Sequence, residues 1–126
     1  MRGIALALAL SLLVAVPVLA HNCVENTAIT SAPGSVTAGG SFSASGGFDN
    51  CGNQDTTFEV TWALVGSSGR IQLLQRFETV RTGQSTSFTD SLTVPLGTPA
   101  GSYDLVLKIV APGGFTDSDS TPITVN

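Results

Sequence analysis

The stretch DNCGNQD, residues 49–55, holds the densest chemistry in the chain. Asp49, Asn53 and Asp55 fall at alternating positions, a spacing that can offer oxygen ligands to a hard cation such as calcium. The third position of such a loop is Cys51, which brings no oxygen, and no glutamate stands at the twelfth to grip the ion with both of its oxygens. The leading reading is a turn rich in Asp and Asn side chains, with calcium as the alternative. His21, the sole histidine, is the other candidate. As the first residue of a processed chain it would present its amine and imidazole as a chelating pair for copper. Carboxylates such as Glu25, Asp49 or Asp117 would have to complete the set, and they select copper less well than a second imidazole would. A copper or other cation site on His21, Asp49 and Asp55 is therefore the alternative, and the leading reading carries no cofactor.

Catalytic constellations are weaker. No Gly-x-Ser-x-Gly elbow occurs, a Ser-His-Asp set would have to use His21, and a Ser-Lys pair only Lys108. Glu59 and Glu78 are expected on neighbouring strands, without an aromatic groove to hold a sugar. The single Trp62 and single Tyr103 are needed by a core, which leaves Phe48 and Phe115 as the loop aromatics free for binding. The expectation is not an enzyme.

Cys23 and Cys51 are the only cysteines. Residues 1–20 show Arg2, the run IALALALSLLVAV, Pro17 and a small-residue ending at Ala20, the three parts of a secretory signal. Export, extracellular or periplasmic, would put both thiols in an oxidising compartment, so a Cys23–Cys51 disulfide is expected, contributing about 3 to 4 kcal/mol through loop entropy. A lipid-anchored Cys23 would need small residues before it, and His21 and Asn22 are not small. No second apolar stretch is long enough to span a membrane once the signal is cleaved.

The 126 residues carry a net charge of −4; without Arg2 four basic residues face nine acidic ones, giving 4 − 9 = −5 for residues 21–126. Nucleic-acid binding, which needs a basic patch, is excluded on that ground. About 106 residues make one domain.

These candidates must be positioned by strands, because the pattern from residue 27 onward is period two with turns at short spacing and no helical stripe. TFEVTWALV places Phe58, Val60, Trp62 and Leu64 on one face, and SYDLVLKIV does the same with Tyr103, Leu105, Leu107 and Ile109. SFTDSLTV offers Phe88, Leu92 and Val94, with Asp90 between them read as a strand end, a bulge or an outer position. RIQLLQRFETV is less regular. About seven antiparallel strands, each with one apolar face, predict an all-β, immunoglobulin-like sandwich of two sheets over 21–126. Trp62 is then the core tryptophan of the third strand, Tyr103 forms a tyrosine corner, and Leu105 takes the place of the second core cysteine of antibody domains. Asp117 and Asp119, near Asp104, are read as a solvated edge, and Arg70, Arg76 and Arg81 as solubilising cations or a small anion-facing patch.

The segments VTAGGSFSASGGFDN, VRTGQSTSFTDSLTVP, TPAGSYDLVLKIV and DSTPITV resemble the successive strand motifs of bacterial Ig-like domains of the CARDB, or cell-adhesion-related, type. The likeness covers residues 30–126. It implies an extracellular or cell-envelope module for adhesion, spacing or display, with a protein or envelope component as partner and no catalytic residues to carry over. A monomer is expected.

Overall fold

The computed structural model describes residues 19–126, so the signal-peptide expectation lies outside the described residues except for Leu19 and Ala20. Eight strands form among the described residues: β1 (Val24–Ser31), β2 (Ser35–Val36), β3 (Ser41–Asn50), β4 (Thr56–Gly66), β5 (Gly69–Val80), β6 (Ser85–Thr93), β7 (Gly101–Val110) and β8 (Thr116–Val125). They make an immunoglobulin-like sandwich of a three-stranded sheet, β1-β3-β6, and a five-stranded one, β2-β8-β7-β4-β5. The strand beyond the expected seven is β2, two residues long, and it departs from the antiparallel rule by running parallel to the end of β8. No helix among the described residues is long and apolar enough to cross a membrane.

The core follows the alternation. Phe58, Val60, Trp62 and Leu64 of β4 and Tyr103, Leu105, Leu107 and Ile109 of β7 are all buried between the sheets. Tyr103 is anchored as a tyrosine corner, its hydroxyl donating to the Pro99 carbonyl at 2.7 Å. Gly46 of β3 faces the same space, where a Cβ would lie 2.6 Å from Leu107 and 2.8 Å from the Ala28 carbonyl oxygen. Glycine is what lets β3 approach β7 there. The irregular reading of β5 has a local cause: its pairing with β4 skips Leu73, between Trp62↔Leu74 and Ala63↔Gln72, and this bulge exchanges the strand's faces midway.

Four expectations are corrected. Asp90 sits in mid-strand on the inner face of β6, in register with Ala44, and not at an end, a bulge or an outer position. It can be there because it is partnered: Trp62 Nε1 donates to its Oδ2 at 2.8 Å, and Arg76 donates to both oxygens at 3.0 and 3.1 Å. Arg76 is thus no free solubilising cation; it also donates to Glu78, and its guanidinium lies 4.7 Å above the Phe88 ring. Burial alone would make this guanidinium less basic, but hydrogen bonds and charge from Glu78 and Asp90 outweigh that and raise its pKa.

Asp117 and Asp119, in register with Ile109 and Leu107, also face inward, on the side of β8 away from Asp104. Their carboxylates accept from the backbone amides of Thr27 at 2.9 Å and Ile29 at 2.8 Å in β1. Phe48 is no loop aromatic but a core residue of β3, 2% exposed and packed edge-on against Phe58 and Phe88. Glu59 and Glu78 occupy opposite faces of the β4–β5 pair, since Phe58 opposes Glu78 and Glu59 opposes Phe77.

Candidate functional site

Three loops, residues 51–55, 81–84 and 111–115, come together at one end of the sandwich with residues 19–23. The Cys23–Cys51 disulfide joins two of these segments, with Cα atoms 4.9 Å apart. Such bridges form and persist in oxidising compartments, extracellular or periplasmic. Around the bridge the two backbones run side by side. Cys51 N donates to the Cys23 carbonyl at 3.2 Å, the His21 amide donates to Asn53 Oδ1 at 2.9 Å, and Asn53 Nδ2 donates to the Leu19 carbonyl at 2.8 Å. The fit depends on Gly52, where a Cβ would stand 2.7 Å from the His21 carbonyl oxygen.

Asn50 organises the rest from below. It is buried, its Nδ2 donates to the carbonyls of Gln54 at 3.0 Å and Val80 at 2.9 Å, and its Oδ1 accepts from Gly52 N at 2.9 Å. Its own carbonyl accepts from Gly83 N at 3.0 Å, which brings in the second loop. Thr82 secures that loop further, donating from N to Asp55 Oδ1 at 3.0 Å and from its hydroxyl to the Gly52 carbonyl at 2.6 Å. The third loop is held by Asn22, whose Nδ2 donates to the Pro112 carbonyl at 2.9 Å while its Oδ1 accepts from Gln54 Nε2 at 3.0 Å. With its polar groups so engaged in hydrogen bonds, the end offers Arg81, Gln84 and Phe115, the last 54% exposed. A shallow hollow of about 160 Å³ opens beside it, between Glu59, Phe77, Val110 and Pro112.

The cation candidates His21, Asp49 and Asp55 are all at or near this end, but they are not gathered into a ligand set. Asp49 accepts from Asn26 Nδ2 at 2.8 Å, and its hydrogen bonds from Ser85 and Asn26 hold its pKa below the ordinary value. Asn26 reaches it from a left-handed backbone, φ 56°, within the irregular stretch of β1. Asp55 is turned to Thr82, and the His21 main chain to Asn53. Among the described residues one trio of potential ligands falls within 4.8 Å, Cys23, Glu25 and Cys51, and both of its sulfurs are consumed by the disulfide. Apart from the two cysteines, Asn50 and Asn22 carry more of the site than the cation candidates that sequence reasoning singled out. Their one signal was the density of Asn around the two cysteines.

No family model matches the sequence, and no curated protein matches it. Solved structures do match in shape. The sporulation control protein Spo0M of Bacillus subtilis superposes with a TM-score of 0.55 at 16% identity, over 83% of this chain and 49% of that one. A Niemann-Pick type C2 protein from the Japanese carpenter ant gives 0.59 at 11% identity, over 86% of this chain and 100% of its own. A β-glucosidase from Listeria innocua gives 0.57 at 14% identity, over 84% of this chain but 16% of the enzyme. The chain thus spans about half of Spo0M and a small part of the glucosidase. At these identities the likeness is one of fold alone: the immunoglobulin-like sandwich is shared by proteins of unrelated activity.

Proposed function

We propose that the chain is a secreted, non-catalytic immunoglobulin-like module that binds a protein or cell-envelope partner through its disulfide-pinned loop end. The observation that carries this reading is the cross-bracing of three loops and the N-terminal segment by the Cys23–Cys51 bridge, Asn22, Asn50, Asn53 and Asp55. A surface ordered beforehand loses little conformational freedom on association, so modest contacts suffice for useful affinity. Phe115 supplies an apolar anchor, with Arg81 and Gln84 as polar contacts around it. The signal-like residues 1–20, the resemblance to CARDB-type domains and the disulfide support a role outside the cytosol.

The test is photo-crosslinking in the native envelope from residue 115, with Phe115→Ala and Arg81→Ala as competitors of wild-type capture. Each substitution is expected to weaken capture of the same partner by about tenfold, or about 1.4 kcal/mol, at unchanged melting temperature. Capture indifferent to both changes would overturn the assignment. Intact mass of the exported protein checks the compartment: a chain beginning at His21 and two hydrogens short of the reduced form is expected.

A further inference from the structure

Strand β5 ends the five-stranded sheet, paired with β4 on one side and, among the described residues, with no strand on the other. Beyond the bulge at Leu73 it runs regularly from Leu74 to Val80. Gln75, Phe77 and Thr79 look outward there, opposite Thr61, Glu59 and Thr57; Leu74, Arg76, Glu78 and Val80 look inward, opposite Trp62, Val60, Phe58 and Thr56. Phe77 is 66% exposed. Inward charges on an edge strand ordinarily prevent another strand from adding, because the newcomer would cover them without neutralising them. The two on β5 are of opposite sign and stand two residues apart, on one face.

We propose that β5 pairs antiparallel with β5 of a second copy of this chain, in the register centred on Phe77, giving a continuous ten-stranded sheet across a two-fold axis. In that register Arg76 lies opposite the second copy's Glu78, and Glu78 opposite its Arg76, so the ion pair that each copy makes along its own edge continues across the axis as charges of alternating sign and no like charges are opposed. Leu74 meets Val80 on the same face, Gln75 meets Thr79 on the other, and the exposed Phe77 meets its own counterpart. Neighbouring registers fail. Centring on Arg76 opposes two arginines and sets Glu78 against Leu74, centring on Glu78 opposes two glutamates, and any half-step sets inward residues against outward ones. The isologous geometry of a two-fold pair follows from the strand's self-complementary charge order. This surface replaces the monomer expected from the sequence with a symmetric pair; it runs along the β5 edge and shares Phe77 with the hollow beside the loop end, but it involves none of Arg81, Gln84 and Phe115, so it goes beyond the proposed binding role.

Directly opposed residues in an antiparallel pair have Cα atoms about 4.5 to 5.5 Å apart, within reach of a disulfide. The full chain carrying Phe77→Cys should therefore form a covalent dimer under mild oxidation about tenfold faster than Gln75→Cys or Thr79→Cys alone. A mixture of the Gln75→Cys and Thr79→Cys proteins should cross-link one to the other. Sedimentation equilibrium of wild type should show a concentration-dependent dimer, weakened about tenfold or more by Glu78→Arg, which sets arginines against each other. Circular dichroism checks that each variant is folded. A wild-type monomer up to about a millimolar, where association is weaker than about −4 kcal/mol, or equal cross-linking rates from positions 75, 77 and 79, would overturn the proposal. Loss of the partner in the Phe115→Ala experiment bears on the loop end alone.

Discussion

On one side of the sandwich Asp90 reaches from β6 to Trp62 and Arg76, side chain to side chain; on the other, Asp117 and Asp119 reach from β8 to the backbone amides of Thr27 and Ile29 in β1. Both seams use inward aspartates to join an outer strand of one sheet to the other sheet, but they make different demands on the sequence. The first needs an indole and a guanidinium at two particular positions. The second needs only that the β1 backbone lie in place, since any residue other than proline supplies the N–H. The Asp90 seam is therefore brittle to substitution of its partners, whereas the β1 seam tolerates change at Thr27 and Ile29 and is lost only from the carboxylate side.

The largest effect expected from breaking this contrast is at Trp62. Trp62→Ala removes a fully buried ring and the donor to Asp90, and should cost about 3 to 5 kcal/mol in denaturant unfolding followed by circular dichroism. Next comes the covalent fastening of β1: replacing Cys23 and Cys51 by serine frees a loop spanning 28 positions and should cost about 3 to 4 kcal/mol. Asp90→Asn keeps an acceptor for the indole but strips the countercharge from Arg76. Because Arg76 retains Glu78 and is partly solvated, about 2 kcal/mol is expected in the same assay. Asp119→Ala, on the tolerant side, should cost about 1 kcal/mol and raise hydrogen exchange at the Ile29 amide while the Trp62 fluorescence maximum stays in place. Ile29→Val should leave that amide protected. Smallest is an acid effect at Asp49. Its folded pKa is lowered by Ser85 and Asn26, so its contribution is complete above the ordinary value of 3.8 and disappears as pH falls through the folded one. Asp49→Asn should accordingly flatten the acid limb of a melting-temperature profile slightly.

The strands β4 and β7, the tyrosine corner and the disulfide were legible because each rests on one residue type at one spacing: alternation for the strands, a tyrosine at the start of β7, and two cysteines following a stretch patterned like a secretory signal. The inward aspartates were not, because a carboxylate at a core parity reads as an interruption until its donor is known, and the donors are far away in sequence. One sign was present. The tetrapeptide FTDS occurs twice, at 88–91 and 115–118, and in each copy the aspartate shares its parity with apolar residues further along the strand, Leu92 after Asp90 and Ile123 after Asp117. The loop end was half legible. Its cysteines announced the bridge, but the work of Asn50 depends on carbonyls at Gln54 and Val80 that only the fold brings together.

The position of the disulfide also decides how the domain would carry mechanical load. Tension entering from the N-terminal side passes at Cys23 through the sulfurs to Cys51 and skips the whole of β1, β2 and β3. The 28 peptide units so bypassed amount to about 90 Å of extended chain that pulling cannot release while the bridge is oxidised. With the bridge reduced, a load that stripped β1 to β3 from the sandwich would gain that length, so the bridge caps how far this part of the domain can be drawn out.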